Sequence, residues 1–173
     1  MTKYEFKEIT LSNWLEPDRV LKGFVKVSPD GRSRPITGDE YLNHIFGPRL
    51  LESVPKDVQA LFEVACGAMA YGYFFYPLYT LAAQQLFRVA DAAVLHKCKA
   101  LGVPKSKRTF KKRIDWLVDE EIIRKSELGR WEAVRSLRNA ASHPDRQSIF
   151  TPGNVIGLIE GITEQINSLF SGG

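Results

Sequence analysis

The sequence predicts an all-α fold: an antiparallel bundle of four to five main helices over residues 37–173, behind a short non-helical N-terminal arm over residues 1–36 for which a β-hairpin is one form. Three observations predict it. Apolar residues recur at spacings of three and four through most of the chain after Thr37. Glycine and proline interrupt that pattern at Gly47-Pro48, between Gly72 and Pro77, at Gly102-Val103-Pro104 and at Pro144. By contrast, Val20 to Val27 is rich in β-branched and aromatic residues with partial alternation, and Ser28-Pro29-Asp30-Gly31 after it has turn chemistry.

Taken in order, the elements follow from these signals. Val20 to Val27 and the Pro-Asp-Gly turn give the hairpin or irregular arm. Tyr41, Leu42, Ile45 and Phe46 predict a short helix ended by Gly47-Pro48, with room for another short piece before Pro55. A long helix starts near Pro55, since proline suits a first turn, and runs through Val58, Leu61, Phe62, Ala65 and Met69 to Gly72. The next spans about Pro77 to Leu101, with Leu78, Leu81, Leu86, Val89, Ala93 and Cys98 facing inward, and stops at Gly102. Thr109 caps a third, which buries Phe110, Ile114, Leu117 and Val118 and shows Lys111, Lys112 and Asp115 to water. Trp131 to His143 forms a fourth, closed by Pro144. The last runs from about Pro152 to Phe170 through Val155, Ile156, Ile159, Ile162, Ile166 and Leu169.

A chain of 173 residues with 44% hydrophobic content can build one core without disulfides. Cys66 and Cys98 stand far apart in no metal-like spacing and read as reduced, core-like thiols. The first residues, Met1-Thr2-Lys3-Tyr4-Glu5-Phe6-Lys7, lack the apolar stretch of a secretory signal, so the expected setting is cytoplasmic. Val64 to Phe87 carries no charge, but Gly67, Gly72 and Pro77 divide it, and it reads as the ends of two buried helices rather than a membrane span.

The net charge of +4 is distributed unevenly. Lys97, Lys99, Lys105, Lys107, Arg108, Lys111, Lys112 and Arg113 form a run without an acid; removing those eight from the 24 Lys and Arg leaves 16 against 20 Asp and Glu. Such a patch has the footprint of a phosphate-backbone contact. It reads equally as a solvated helix end and loop, where cations favour the helix C-terminus.

The segment that carries chemistry is Arg138-Asn139-Ala140-Ala141-Ser142-His143. On a helix, Trp131, Val134, Leu137 and Ala141 form an apolar stripe, while Arg135, Asn139, Ser142 and His143 form a polar one. Arg138 sits beside the apolar stripe, about 140° round the helix from His143, within reach of a long side chain. Histidine exchanges protons near neutral pH. Cutting RNA without a metal needs a base for the 2′-hydroxyl proton, an acid for the leaving 5′-oxygen and a cation for the phosphate oxygens. One helix supplies one histidine and one arginine; two copies across a two-fold axis supply two of each.

This Arg-x4-His pattern, with a polar amide directly after the arginine, resembles the signature of the HEPN superfamily, small all-helical domains many of which cut RNA without a metal. The resemblance covers about Leu78 to Phe170 in layout, and residues 1–54 have no counterpart in it. It implies a homodimer with both motifs in one cleft and products with 2′,3′-cyclic phosphate and 5′-hydroxyl ends. It implies that Arg138 binds and polarises the scissile phosphate, His143 acts as general acid or base, and Asn139 orients its neighbours. Lys105, Lys107, Arg108, Lys111, Lys112, Arg113 and Arg135 are the expected RNA contacts. No metal and no cofactor enter this reading, and a defence or toxin role with a protein antitoxin as partner follows from the family alone.

The rival expectation is a non-catalytic helical module that dimerises or binds a protein or nucleotide, with Arg138 paired to an acid on a neighbouring helix and His143 and Asn139 decorating a helix end. His44 and His96 read as surface or packing histidines. Asp115, Asp119, Glu120 and Glu121 read as solvated acids rather than metal ligands, and the aromatic cluster Tyr71 to Tyr79 as core packing rather than a base-stacking surface.

Overall fold

A computed structural model describes residues 6–141 and 149–171. The protein is broadly all-α with a short hairpin arm. Strands β1 (Val25–Val27) and β2 (Ser33–Pro35) pair antiparallel, with Lys26 opposite Arg34. Six helices follow among the described residues: α1 (Gly38–Phe46), α2 (Lys56–Tyr71), α3 (Leu78–Ala100), α4 (Phe110–Asp119), α5 (Leu128–Ala141) and α6 (Pro152–Phe170).

The first half of the Val20 to Val27 run is not strand. Asp18 accepts a hydrogen bond from the Val20 N–H, and Arg19–Gly23 coil into a 3-10 turn before the chain extends. A local cap therefore overrides β propensity there, as Asp side chains do when a nearby backbone donor is free.

The helix boundaries have local causes. Thr37 and Glu40 form a reciprocal capping box on α1, and Thr151 and Asn154 do the same for α6, whose first residue is Pro152. Thr109 caps α4 through the Lys112 N–H. At the end of α3 the Val103 N–H reaches the Cys98 carbonyl and the Gly102 N–H that of Lys99, a Schellman closure with Gly102 at φ +73°. Gly72 serves a different need: a Cβ there would lie 2.7 Å from the Tyr79 ring, so only glycine lets that ring close against the α2–α3 turn.

Helix α3 is the centre of the molecule. It packs against α2, α6, α4 and α5. Its buried residues, among them Tyr79, Leu86, Phe87, Val89, Ala90, Ala93, Val94 and Cys98, go round the helix rather than along one stripe. Small alanines let neighbouring helices approach, and full burial of each large side chain contributes about 1.5–3 kcal/mol. Leu81, expected inside, is exposed, because its neighbours Ala82 and Ala83 take the inward positions. Ile159, Ile162, Ile166 and Leu169 of α6 complete the core. Both cysteines are free and buried, and burial pushes each thiol up to about 11, so neither is a thiolate near neutral pH.

The aromatic run divides in the same way. Tyr76 and Tyr79 are buried, Tyr73 stacks on Tyr41 at 6.2 Å, and Tyr71 alone of the four tyrosines lies open to solvent. Among the described residues no helix is long and apolar enough to cross a membrane.

Among the described residues the arm is tied to the α2–α3 turn and to α1, and at the turn Lys7 Nζ donates to the Phe74 carbonyl at 3.2 Å. Asp18 is fully buried at the α2–α3 turn: its carboxylate accepts from the Tyr76 N–H at 2.9 Å, and its own N–H donates to the Tyr73 carbonyl at 2.9 Å. Lys26 and Arg34 of the hairpin both pair with Glu40 of α1, and the Arg34 guanidinium holds that carboxyl far below the usual carboxylate range. Between arm and helices lies an apolar cavity of about 330 Å³, walled by Leu21, Phe24, Ile36, Tyr41, Tyr73 and Ile156.

Candidate functional site

The site is built where α3, α4 and α5 meet. Trp131 and Val134 of α5 are buried, and the Trp131 ring lies 6.4 Å from that of Phe110 at the start of α4. One turn further along the same stripe comes Arg138, not Leu137. The Arg138 guanidinium sits over the Phe110 ring, 5.7 Å from its centroid, and its Nη2 is 3.2 Å from Oδ2 of Asp91 on α3. Leu137 is 39% exposed. The apolar stripe expected along Trp131, Val134 and Leu137 is thus corrected to Trp131, Val134 and Arg138, still at helical spacing. A flat guanidinium can occupy an inward position because its face packs on an aromatic ring while its charge is answered by a carboxylate.

Asp91 is shared. Its Oδ1 accepts from Nη1 of Arg113 on α4 at 2.8 Å, and Nη2 of Arg113 donates to the Arg108 carbonyl at 2.8 Å. Arg113 is only 13% exposed, whereas Arg138 is 38% exposed. The cluster thus holds two guanidinium groups on one carboxylate, with its more accessible cation at Arg138. Through Arg113 it is hydrogen-bonded to the backbone of the basic loop.

A second network lies beside it. Lys111 reaches Asp115 at 3.0 Å and Glu132 at 3.4 Å, and Arg135 Nε donates to Glu132 Oε2 at 2.5 Å. The Arg135 hydrogen bond, followed by the smaller effect of Lys111, holds the Glu132 carboxyl below its ordinary range. The Asp115 hydrogen bond holds the Lys111 ammonium above its own.

The expected RNA contacts therefore separate. Lys111, Arg113 and Arg135 are committed to acids. Among the described residues no ion pair joins Lys105, Lys107, Arg108 or Lys112 to an acid, and of these only Lys107 is less than exposed. Asn139 is exposed on α5, one position past Arg138. His143 lies outside the described residues. His44 is exposed, and His96 Nε2 pairs with Asp57 Oδ2 at 2.6 Å, stapling α3 to the first turn of α2. Among the described residues no group of three or more His, Cys, Asp or Glu could hold a metal ion.

Asp91 is the member that sequence reasoning missed. The signal was present: it is the sole acid in the 23 residues of α3, set among Ala90, Ala92 and Ala93. Small neighbours leave space for long cationic side chains from two other helices. Arg88, one turn earlier on α3, is a local cation, but its guanidinium turns to Gln85.

A family described as a domain of unknown function, DUF4145, matches residues 69–169, a span that runs from the end of α2 through nearly all of α6 and includes Asp91, Arg113 and Arg138. No curated protein and no solved structure matches the chain. With more than half of its 173 residues inside that match, the chain belongs to the DUF4145 family.

Proposed function

We propose that the protein is a metal-independent endoribonuclease that acts as a homodimer and leaves 2′,3′-cyclic phosphate and 5′-hydroxyl ends. The observation that carries this reading is the placement of Arg138: part-exposed, held by Asp91 and Phe110, and linked through Arg113 to a loop whose Lys105, Lys107 and Arg108 have no acidic partner among the described residues. In this reading the loop and Lys112 collect the RNA backbone. Arg138 holds the non-bridging oxygens of the scissile phosphate as charge develops on them. His143 supplies or takes the proton as the 2′-oxygen attacks phosphorus and the 5′-oxygen leaves, and the second copy brings the other His143. An antiparallel arrangement of the four to five main helices, a cytoplasmic setting, a defence or toxin role and a protein antitoxin belong to the same proposal.

One observation favours the second reading, a non-catalytic binding or dimerisation module. Arg138 is paired with an acid on a neighbouring helix, which is what a purely structural arginine would do.

The test is incubation of the purified chain with end-labelled single-stranded RNA in excess EDTA. Cleavage to cyclic-phosphate ends is expected, with His143→Ala lowering the rate by about 100- to 10,000-fold, the usual contribution of a general acid or base. Intact RNA across several sequences, or unchanged cleavage by His143→Ala, would leave the binding module as the account.

The division of cations gives an independent result. Alanine at Lys105, Lys107, Arg108 or Lys112 should each weaken RNA binding and flatten its salt dependence by about 0.7 in log–log slope, the value for one released counterion on a single strand. Alanine at Lys111 or Arg135 should leave the slope unchanged, because those charges are already answered. Equal slope changes at all six positions would remove the distinction.

A further inference from the structure

We infer that Asp91 is a positioning residue for the proposed cleavage: by giving one carboxylate oxygen to Arg113 and the other to Arg138, it fixes the Arg138 guanidinium over Phe110 before any phosphate arrives. The inference rests on the nuclease reading and adds to it a residue that makes no contact with substrate.

An arginine that is free in solution is costly to order. Its side chain has several rotatable bonds, and ordering it around a phosphate forfeits about 2 kcal/mol of rotamer entropy. A guanidinium already ordered by a ring on one face and a carboxylate on one edge meets the phosphate with that cost settled at folding, and its charge is aimed where negative charge develops. Arg113 makes the arrangement rigid. It is nearly buried, and it is anchored at both ends of its fork, by Asp91 on one side and the Arg108 carbonyl on the other. Asp91 is therefore itself held in place, and it cannot follow Arg138 outward without breaking the Arg113 contact.

Asp91 also competes with the ligand. A carboxylate beside the guanidinium repels an incoming phosphate, so its presence weakens ground-state binding while it improves the geometry of the transition state. The two effects have opposite signs in the kinetics. Asp91→Asn keeps the size of the side chain and removes the charge. The expected result is a kcat at least about 10-fold lower together with a KM about two- to threefold lower. Loss of folded enzyme alone cannot produce that combination, since it lowers the apparent kcat and leaves KM where it was. Asp91→Glu, which retains the charge, should recover most of the kcat.

The structural half is read without turnover. In the native chain the Arg138 Nη2–H that faces Asp91 should exchange slowly with solvent in nitrogen-15 NMR spectra, and Asp91→Asn should accelerate that exchange several-fold. An Arg138 signal unchanged by Asp91→Asn overturns the inference even where RNA is cut. So does a kcat lowered by less than about 10-fold. A native chain that leaves RNA intact overturns the nuclease reading and the positioning role of Asp91 in cleavage with it, and the Nη2–H signal then still decides whether Asp91 fixes Arg138.

Discussion

Replacing Arg138 by alanine is expected to lower RNA cleavage by about 100- to 1,000-fold, the range for removing one preorganised donor to a developing oxyanion. A chain of contacts runs from the Arg108 carbonyl through Arg113 and Asp91 to Arg138. Alanine removes the donor and leaves Asp91 paired to Arg113, which is the better-buried and closer of its two partners. The carboxylate is consequently not orphaned, and the stability cost should be small, about 1 kcal/mol for a half-exposed ion pair and the packing on Phe110. The two readings therefore part on this one variant. A large loss of cleavage with melting lowered by no more than about 2–4 °C and dimer size unchanged supports the nuclease. A larger drop in melting or a dissociated dimer, with no cleavage to lose, supports the binding module. Arg138→Lys sharpens the contrast: lysine keeps the charge but cannot present a planar fork, so cleavage should stay at least about 10-fold below native if geometry at the phosphate matters.

How much of this was legible in the sequence follows from which physical signals are local. The bounds of α6 were written in Thr151, Pro152 and a long apolar periodicity, and those of α3 in Pro77 and Gly102, because caps and stops act within a turn of the residues that make them. The facing of α5 was not. Leu137 and Arg138 are adjacent, and a rotation of one residue exchanges which of them points inward. Hydrophobicity favours Leu137. The structure favours Arg138, because Phe110 of α4 and Asp91 of α3 together make a place that suits a guanidinium better than a leucine. Neither neighbour is local to α5, so no window on α5 could have found them. The same limit applies to the basic run from Lys97 to Arg113, where charge counting cannot separate cations that pair across helices from those that face solvent.

Replacing Asp18 by alanine should have the largest effect on the arm. The residue is 0% exposed and lies outside every helix, yet its carboxylate accepts from the Tyr76 N–H at 2.9 Å and from the Val20 N–H at 3.1 Å. Alanine would leave both donors without that acceptor; the Tyr76 hydrogen bond is the buried one, and a buried unsatisfied donor costs about 1–3 kcal/mol. The Lys7 hydrogen bond to the Phe74 carbonyl and the Glu40 pairs do not supply the missing acceptor. The Glu40 pairs with Lys26 and Arg34 lie at the surface, where solvent screens such pairs. The loss falls on the link between arm and helices, while the helical core around α3 keeps its own contacts. Hydrogen exchange should therefore show residues 19–36 losing protection first, with the amides of α3 and α6 protected nearly as before. The wall that Leu21, Phe24 and Ile36 form over the apolar cavity would open with them. Unchanged protection through residues 19–36 would mean that the hairpin holds its place without Asp18. Uniform loss in arm and core alike would mean that the arm is an integral part of one cooperative unit, its connection to the α2–α3 turn as strong as the packing among the helices themselves.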